Sequence, residues 1–140
     1  MAQTLAAKSH RDPEKVRLLL DTHALLWFLE QDKRLSASAR RAIENRRNSI
    51  WASAVSGYEL GLKHAHGKLD FPIHNLEQIL HAAGIELLPV LMGHAVKAAD
   101  LLQHHGDPWD RILVAQTSIE DLILVTRDER WREYGIRTFW

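Results

Sequence analysis

Four acidic side chains, far apart along a chain of 140 residues, have the type and placement to hold a divalent metal ion. Asp21 closes the apolar run Val16-Arg17-Leu18-Leu19-Leu20, and Asp128 follows a second one, Leu122-Ile123-Leu124-Val125-Thr126-Arg127. A short run rich in Leu, Ile and Val, bounded by polar residues and followed by a helical pattern, reads as a central strand of a parallel sheet. Ligands of open α/β sheets bind outside the carboxyl ends of such strands, so both aspartates are expected at the rim of one crevice, with Glu59 and Asp110 as candidates to join them. Carboxylates gathered there repel one another and should show raised pKa values as a group, a strain that a cation relieves. Oxygen donors without thiolate favour magnesium or manganese. One such ion, or two, would lower the pKa of a bound water.

Each acid also has an ordinary structural use. Asp21 can cap the helix that begins near Thr22. Glu59 flanks the buried face of its helix but stands four residues before Lys63, the favourable order for a surface pair worth about 0.2–0.5 kcal/mol. Asp107-Pro108-Trp109-Asp110 reads as a helix start, with Asp107 as cap, Pro108 at the first position and Asp110 favoured by the helix dipole. Asp107 is then occupied by backbone donors and supports the site, whereas Asp110, one turn in, is free to reach the crevice. Asp128 can start the last short helix, and the Thr126 hydroxyl can end a strand or orient a bound water or phosphate oxygen. His23 can touch substrate or cap its helix.

Other chemistries lack their residues. The absence of cysteine excludes disulfides, thiolate catalysis and Cys-type zinc sites, and fits a reducing cytoplasm. Nine histidines invite a zinc reading, but His64 and His66 diverge on a helix and no His-Glu-x-x-His occurs. There is no Gly-x-Gly-x-x-Gly, no P-loop and no Gly-x-Ser-x-Gly. With 18 basic and 18 acidic residues the formal net charge is zero, so any nucleic-acid binding must come from local patches. Residues 1–15 are polar, of mixed charge and without the apolar core of a signal peptide, and are expected to be a flexible extension. No run approaches the roughly 18 apolar residues that span a bilayer, so no membrane partner is expected.

The elements that must position these residues alternate. After the first strand, Thr22 to Glu30 reads as a short buried helix, and Ser36 as the cap of a second with Leu35, Ala39, Ala42 and Ile43 on one stripe. A strand over 49–53 precedes a helix from about Ala54 to His66, with Ser53 or Ser56 as cap, Val55, Tyr58, Leu62 and Ala65 as its apolar stripe, and Gly67 as its stop. A less regular piece around Pro72, a helix over 76–83 and a strand over 85–90 follow. A helix around His94 to Gln103 should bury Ala95, Ala98, Ala99 and Leu102, and one from Pro108 to about Glu120 should gather Trp109, Ile112, Leu113, Gln116 and Ile119. A strand over 122–126, a short helix over 129–134 and an edge strand over 136–140 complete one α/β domain over 16–140, a mostly parallel sheet flanked by helices.

Taken together, Leu20-Asp21-Thr22-His23-Ala24-Leu25-Leu26-Trp27, Ser53-Ala54-Val55-Ser56-Gly57-Tyr58-Glu59-Leu60, His105-Gly106-Asp107-Pro108-Trp109-Asp110-Arg111 and Val125-Thr126-Arg127-Asp128 resemble the PIN-domain family, and within it the VapC-type toxins. Each motif is weak alone, but the four in order are specific, and the likeness runs from about Val16 to Trp140. The resemblance implies a Rossmann-like fold with strand order 3-2-1-4-5 and an acidic pocket that binds magnesium or manganese and cuts single-stranded RNA. Carried over by position, Asp21, Glu59, Asp110 and Asp128 match the family's acidic quartet, with Asp21, Asp110 and Asp128 holding metal and Glu59 holding metal or orienting water. A cognate antitoxin and a homodimer are implied as well. Many relatives have Asn or Ser where His23 stands, and Phe where Trp109 stands, departures that bear on substrate choice more than on catalysis. A PIN-type nuclease of repair or RNA maturation, and a non-catalytic RNA-binding module, are the alternatives, and retention of all four acids argues against the second.

Overall fold

The computed structural model describes residues 15–101 and 107–140. Five short strands form one parallel sheet in the order β3-β2-β1-β4-β5: β1 (Arg17–Leu20), β2 (Ser49–Ser53), β3 (Ile85–Leu88), β4 (Ile123–Val125) and β5 (Arg137–Phe139). Because successive side chains of a strand point to opposite faces, β1 feeds two cores. Leu18 and Leu20 pack with Ile50, Ala52, Ile85 and Val125 beneath α1 (Thr22–Leu29), α2 (Ala37–Glu44) and α4 (Leu76–Ala82). Leu19 turns the other way, joining Trp51, Leu88 and Leu124 under α6 (Pro108–Ile119). Burial on both faces explains why the central strands β1 and β4 read as continuous apolar runs, without alternation.

The helix ends follow the local chemistry. Ser36 Oγ accepts from the backbone N–H of Ala39 at 3.0 Å and starts α2. Gly67 and Gly84 take φ of 70° and 74°, where residues with a Cβ are strained, and release the chain after α3 (Ala54–Ala65) and α4. The piece around Pro72 contains a 3-10 turn, Ile73–Asn75. The segment expected as the last short helix, Glu129–Tyr134, is also 3-10 and not α. Among the described residues no helix is long and apolar enough to cross a membrane.

Two helices bury different faces from those that apolar spacing indicates. In α3 the buried residues are Val55, Ser56 and Leu60, whereas Tyr58 is 50% and Leu62 37% exposed. Ser53 is the cap, accepting from Val55 N, and Ser56 packs against α1 with its hydroxyl bonded to Thr22. The helix expected from His94 begins earlier, as α5 (Met92–Asp100), and buries His94 and Ala98 while Ala95 and Ala99 face solvent. In both helices a hydrogen-bonded polar side chain occupies the place an apolar residue would take. Leu102 and Gln103 of that expected helix, the His105-Gly106 pair and the extension over 1–14 lie outside the described residues.

Candidate active site

In this sheet the chain leaves β1 for β2 on one side and returns to β4 on the other, so the strand order reverses between β1 and β4. Crevices form at the carboxyl ends of strands at such a reversal. Asp21 directly follows β1, and Thr126, Arg127 and Asp128 directly follow β4. The backbone closes the seam, Asp21 N donating to the Val125 carbonyl at 3.1 Å and Thr126 N to that of Phe139 at 3.0 Å.

Asp21 is the N-cap of α1, accepting from Ala24 N at 2.7 Å, so the capping role and the place at the crevice belong to the same side chain. Burial raises its pKa, opposed by hydrogen bonds from the Thr126 hydroxyl and Ala24 N and by the charge of His23, while Asp128 pushes it up. Thr126 is thus bonded on two sides, its oxygen also accepting from Asp128 N at 3.1 Å. It fixes the two acids relative to each other.

Glu59, on α3, is tied to the first turn of α1. Its Oε1 accepts the Thr22 hydroxyl proton at 2.7 Å, and the Ser56 hydroxyl stands 2.9 Å from the same Thr22 oxygen. A hydroxyl has one proton to give, so Ser56 donates to Thr22 and Thr22 to Glu59. Sequence reasoning did not single out this relay. Its only trace is two small hydroxyl residues, Thr22 and Ser56, within otherwise apolar helical segments. Burial raises the Glu59 pKa, with Thr22 lowering it, Asp107 raising it, Lys63 lowering it and Asp21 raising it.

Asp107 caps α6, accepting from Trp109 N at 2.8 Å, with Pro108 in the first turn. Asp110 lies one turn in, and its neighbour Trp109 packs on Tyr58 of α3, ring centroids 4.8 Å apart, which ties the two helices together beside Glu59 and Asp110. Burial pushes the Asp110 carboxyl up to about 7, reinforced by the charges of Asp107, Glu59, Asp21 and Asp128 in that order. Side chains from separate elements therefore share one electrostatic field. Asp128 caps the final 3-10 helix through Arg130 N at 3.0 Å, and the Arg130 guanidinium grips the carboxylate at 2.9 and 2.6 Å.

Among the described residues no three His, Asp or Glu side chains stand together as a finished ligand set. The acids are coupled through their charges while several are hydrogen-bonded locally. The donors are nevertheless all oxygens, and the Asp110 carboxyl, raised first by burial and then by neighbouring carboxylates, is one whose charged form a hard divalent cation would favour.

His23 stacks on Trp27 with centroids 5.4 Å apart and planes 20° from parallel. Partial burial, and then the charge of Lys63, hold its imidazole below the ordinary value. It takes no part in the cap, which Asp21 supplies.

Comparisons with known proteins agree with this geometry. A family model described as PIN domain matches residues 18–136. The chain is 30% identical over 121 residues to the protein named Ribonuclease VapC22 of Mycobacterium tuberculosis, covering 84% of this chain and 91% of that one. Among solved structures it is similar to VapBC2 from Rickettsia felis bound to a DNA fragment from their promoter, with a TM-score of 0.63 and 12% identity over 89% of this chain and 98% of that one. It is also similar to a toxin-antitoxin complex from Klebsiella pneumoniae, with a TM-score of 0.59 and 20% identity over 88% and 96% of the two chains. At these identities the structural likenesses speak for the fold.

Proposed function

The chain belongs to the PIN-domain family, and on that premise we propose that it is a divalent-metal-dependent endoribonuclease that cuts single-stranded RNA and serves as the toxin of a toxin–antitoxin pair. The observation that carries this reading is Asp110, a carboxylate held near neutrality by burial and by the charges of Asp107, Glu59, Asp21 and Asp128. Such crowding is costly in a merely structural pocket and useful where a cation is to be held.

In this scheme Asp21, Asp110 and Asp128 hold Mg2+ or Mn2+, with Glu59 a further ligand or the group that orients the attacking water. A divalent ion held there would supply an acidified water and positive charge beside the scissile phosphate. The protein's own residues set the stage. Thr126 orients Asp21, the Ser56–Thr22 relay holds Glu59, and Asp107 fixes the first turn of α6, which carries Asp110. Arg130 balances the charge of Asp128 and lies close enough for Asp110 to act on it.

RNA as substrate and a cognate antitoxin are proposed on likeness to a named ribonuclease and to toxin-antitoxin structures, and a homodimer acting in the cytoplasm on the family resemblance alone. The test is cleavage of single-stranded RNA by purified protein with magnesium. Asp110→Asn and Asp21→Asn should each abolish divalent-dependent cutting while circular dichroism stays native. Full activity in both variants, or cutting that persists in chelator, defeats the proposal.

A further inference from the structure

Beside the acids lies a cleft of about 220 Å³, smaller than the roughly 300–1,000 Å³ of pockets that take whole small molecules. Asp21, Thr126 and Asp128 line one side of it, and His23, Trp27, Arg127 and Trp140 the other. The second group has no role in holding a cation. Trp27 is the floor, only 5% exposed, with the His23 ring stacked on it and the Trp140 ring edge-on at 6.0 Å. The Arg127 guanidinium lies over the same indole at 4.8 Å. Arg34 also stands over this ring at 4.9 Å, but Asp32 holds its guanidinium at 2.7 Å. Arg127 itself is exposed, and among the described residues its side chain makes no hydrogen bond.

We infer that this cleft is a nucleobase subsite that receives one unpaired base next to the scissile phosphate, stacked among His23 and Trp140 and read by Arg127, with guanine preferred. The inference rests on the ribonuclease reading above and deepens it. Aromatic rings and arginine planes are the usual stacking platforms for single-stranded bases, and each base stacks with a useful energy whatever its identity. Identity must come from hydrogen bonds. The arginine fork has donors only, and guanine offers two adjacent acceptors, O6 and N7, on one edge. Adenine presents a donor beside its N7 and leaves half the fork unmatched. Asp21 and Asp128 share the cleft with these residues, so a base seated there brings its own phosphate to the acids.

The test uses the full chain and short single-stranded RNAs that differ only in carrying or lacking guanine at one position. Binding is measured in chelator and cut sites are mapped in magnesium. The wild type should bind the guanine-containing RNA about 10-fold or more tightly, the discrimination expected of one bidentate pair, and should cut beside that base. Arg127→Gln should erase the discrimination, and His23→Ala should weaken binding of both RNAs. Both positions are exposed, and circular dichroism checks that the variants fold. Cutting with no guanine preference, or with a preference that both variants retain, overturns the subsite and leaves the ribonuclease reading standing. Guanine-selective binding lost in Arg127→Gln, without any cutting in magnesium, supports the subsite and overturns the ribonuclease reading instead.

Discussion

Asp110 shows how far a single carboxyl can be displaced by its neighbours. Its native pKa is about 7 against about 3.9 in an unfolded chain. Between these values the folded protein keeps a proton that the unfolded one has lost, so stability should fall as pH rises through that window and level off above it. Each pKa unit corresponds to about 1.4 kcal/mol, and with solvent screening at a partly exposed group the expected loss is on the order of 1–2 kcal/mol. Asp21 and Glu59 are raised as well and act in the same direction. Thermal melts in chelator should therefore give a lower Tm near pH 8 than near pH 5, and Asp110→Asn, which removes the charge, should flatten most of the difference. Equal slopes for the two proteins would mean that folding does not raise the Asp110 pKa. Much of this group was legible residue by residue: Asp21, Asp107 and Asp128 all stand at helix starts, as their positions imply. Glu59 was not legible in this way, because its helical spacing equally suits a surface pair with Lys63. The motif resemblance picked it out, and the hydroxyl relay that holds it leaves no periodic signal.

Helices α5 and α6 illustrate why element faces were harder to read than element positions. His94 and Glu120 are both essentially fully buried, with Nε2 and Oε2 2.7 Å apart. The other ring nitrogen, Nδ1, accepts from Leu91 N at 2.9 Å, so the imidazole proton sits on Nε2 and is donated to Glu120. Arg17 adds a bond from the start of β1 to the Glu120 carbonyl at 2.7 Å. Replacing His94 by Ala leaves the Leu91 N–H without its acceptor and removes a buried hydrogen bond to the Glu120 carboxylate. The expected cost is about 1.5–3 kcal/mol, read as a lower urea midpoint, with partial rescue by Gln, which can accept and donate at once. Along α6, Glu120 is ten residues or roughly 15 Å from Asp110, so RNA cutting per folded molecule should not change. An unchanged urea midpoint would show that the pair contributes nothing. The same residue explains the misread face of α5: apolar spacing alone selects Ala95 and Ala99, and a buried histidine with two partners is invisible to it. Ser56 in α3 is the parallel case, whereas β1 and β4, whose buried residues are all apolar, stood out as runs.

At the scale of the whole molecule the sheet order turns separate motifs into one pocket, and the charge balance determines how that pocket meets a polyanion. The net charge is zero, so no overall field draws RNA in. The acids repel phosphate, and the cations near them are few. Lys63, Arg127 and Arg34 act on His23 at the cleft, of which Arg34 is held by Asp32, and Arg130 is occupied by Asp128. Two or three phosphate contacts should thus dominate binding. For single strands the slope of log affinity against log salt is about −0.7 per phosphate neutralised, which gives a slope of roughly −1.4 to −2.1. Asp110→Asn in chelator provides a protein that binds without cutting, and titrating it with a short RNA at several salt concentrations measures the slope directly. Stacking in the cleft is insensitive to salt and should supply much of the remaining affinity. A slope steeper than about −4 would require an extended basic surface elsewhere on the molecule. It would shift recognition away from the cleft beside Asp21 and Asp128, and the guanine preference argued for Arg127 would then contribute little to where the chain is cut.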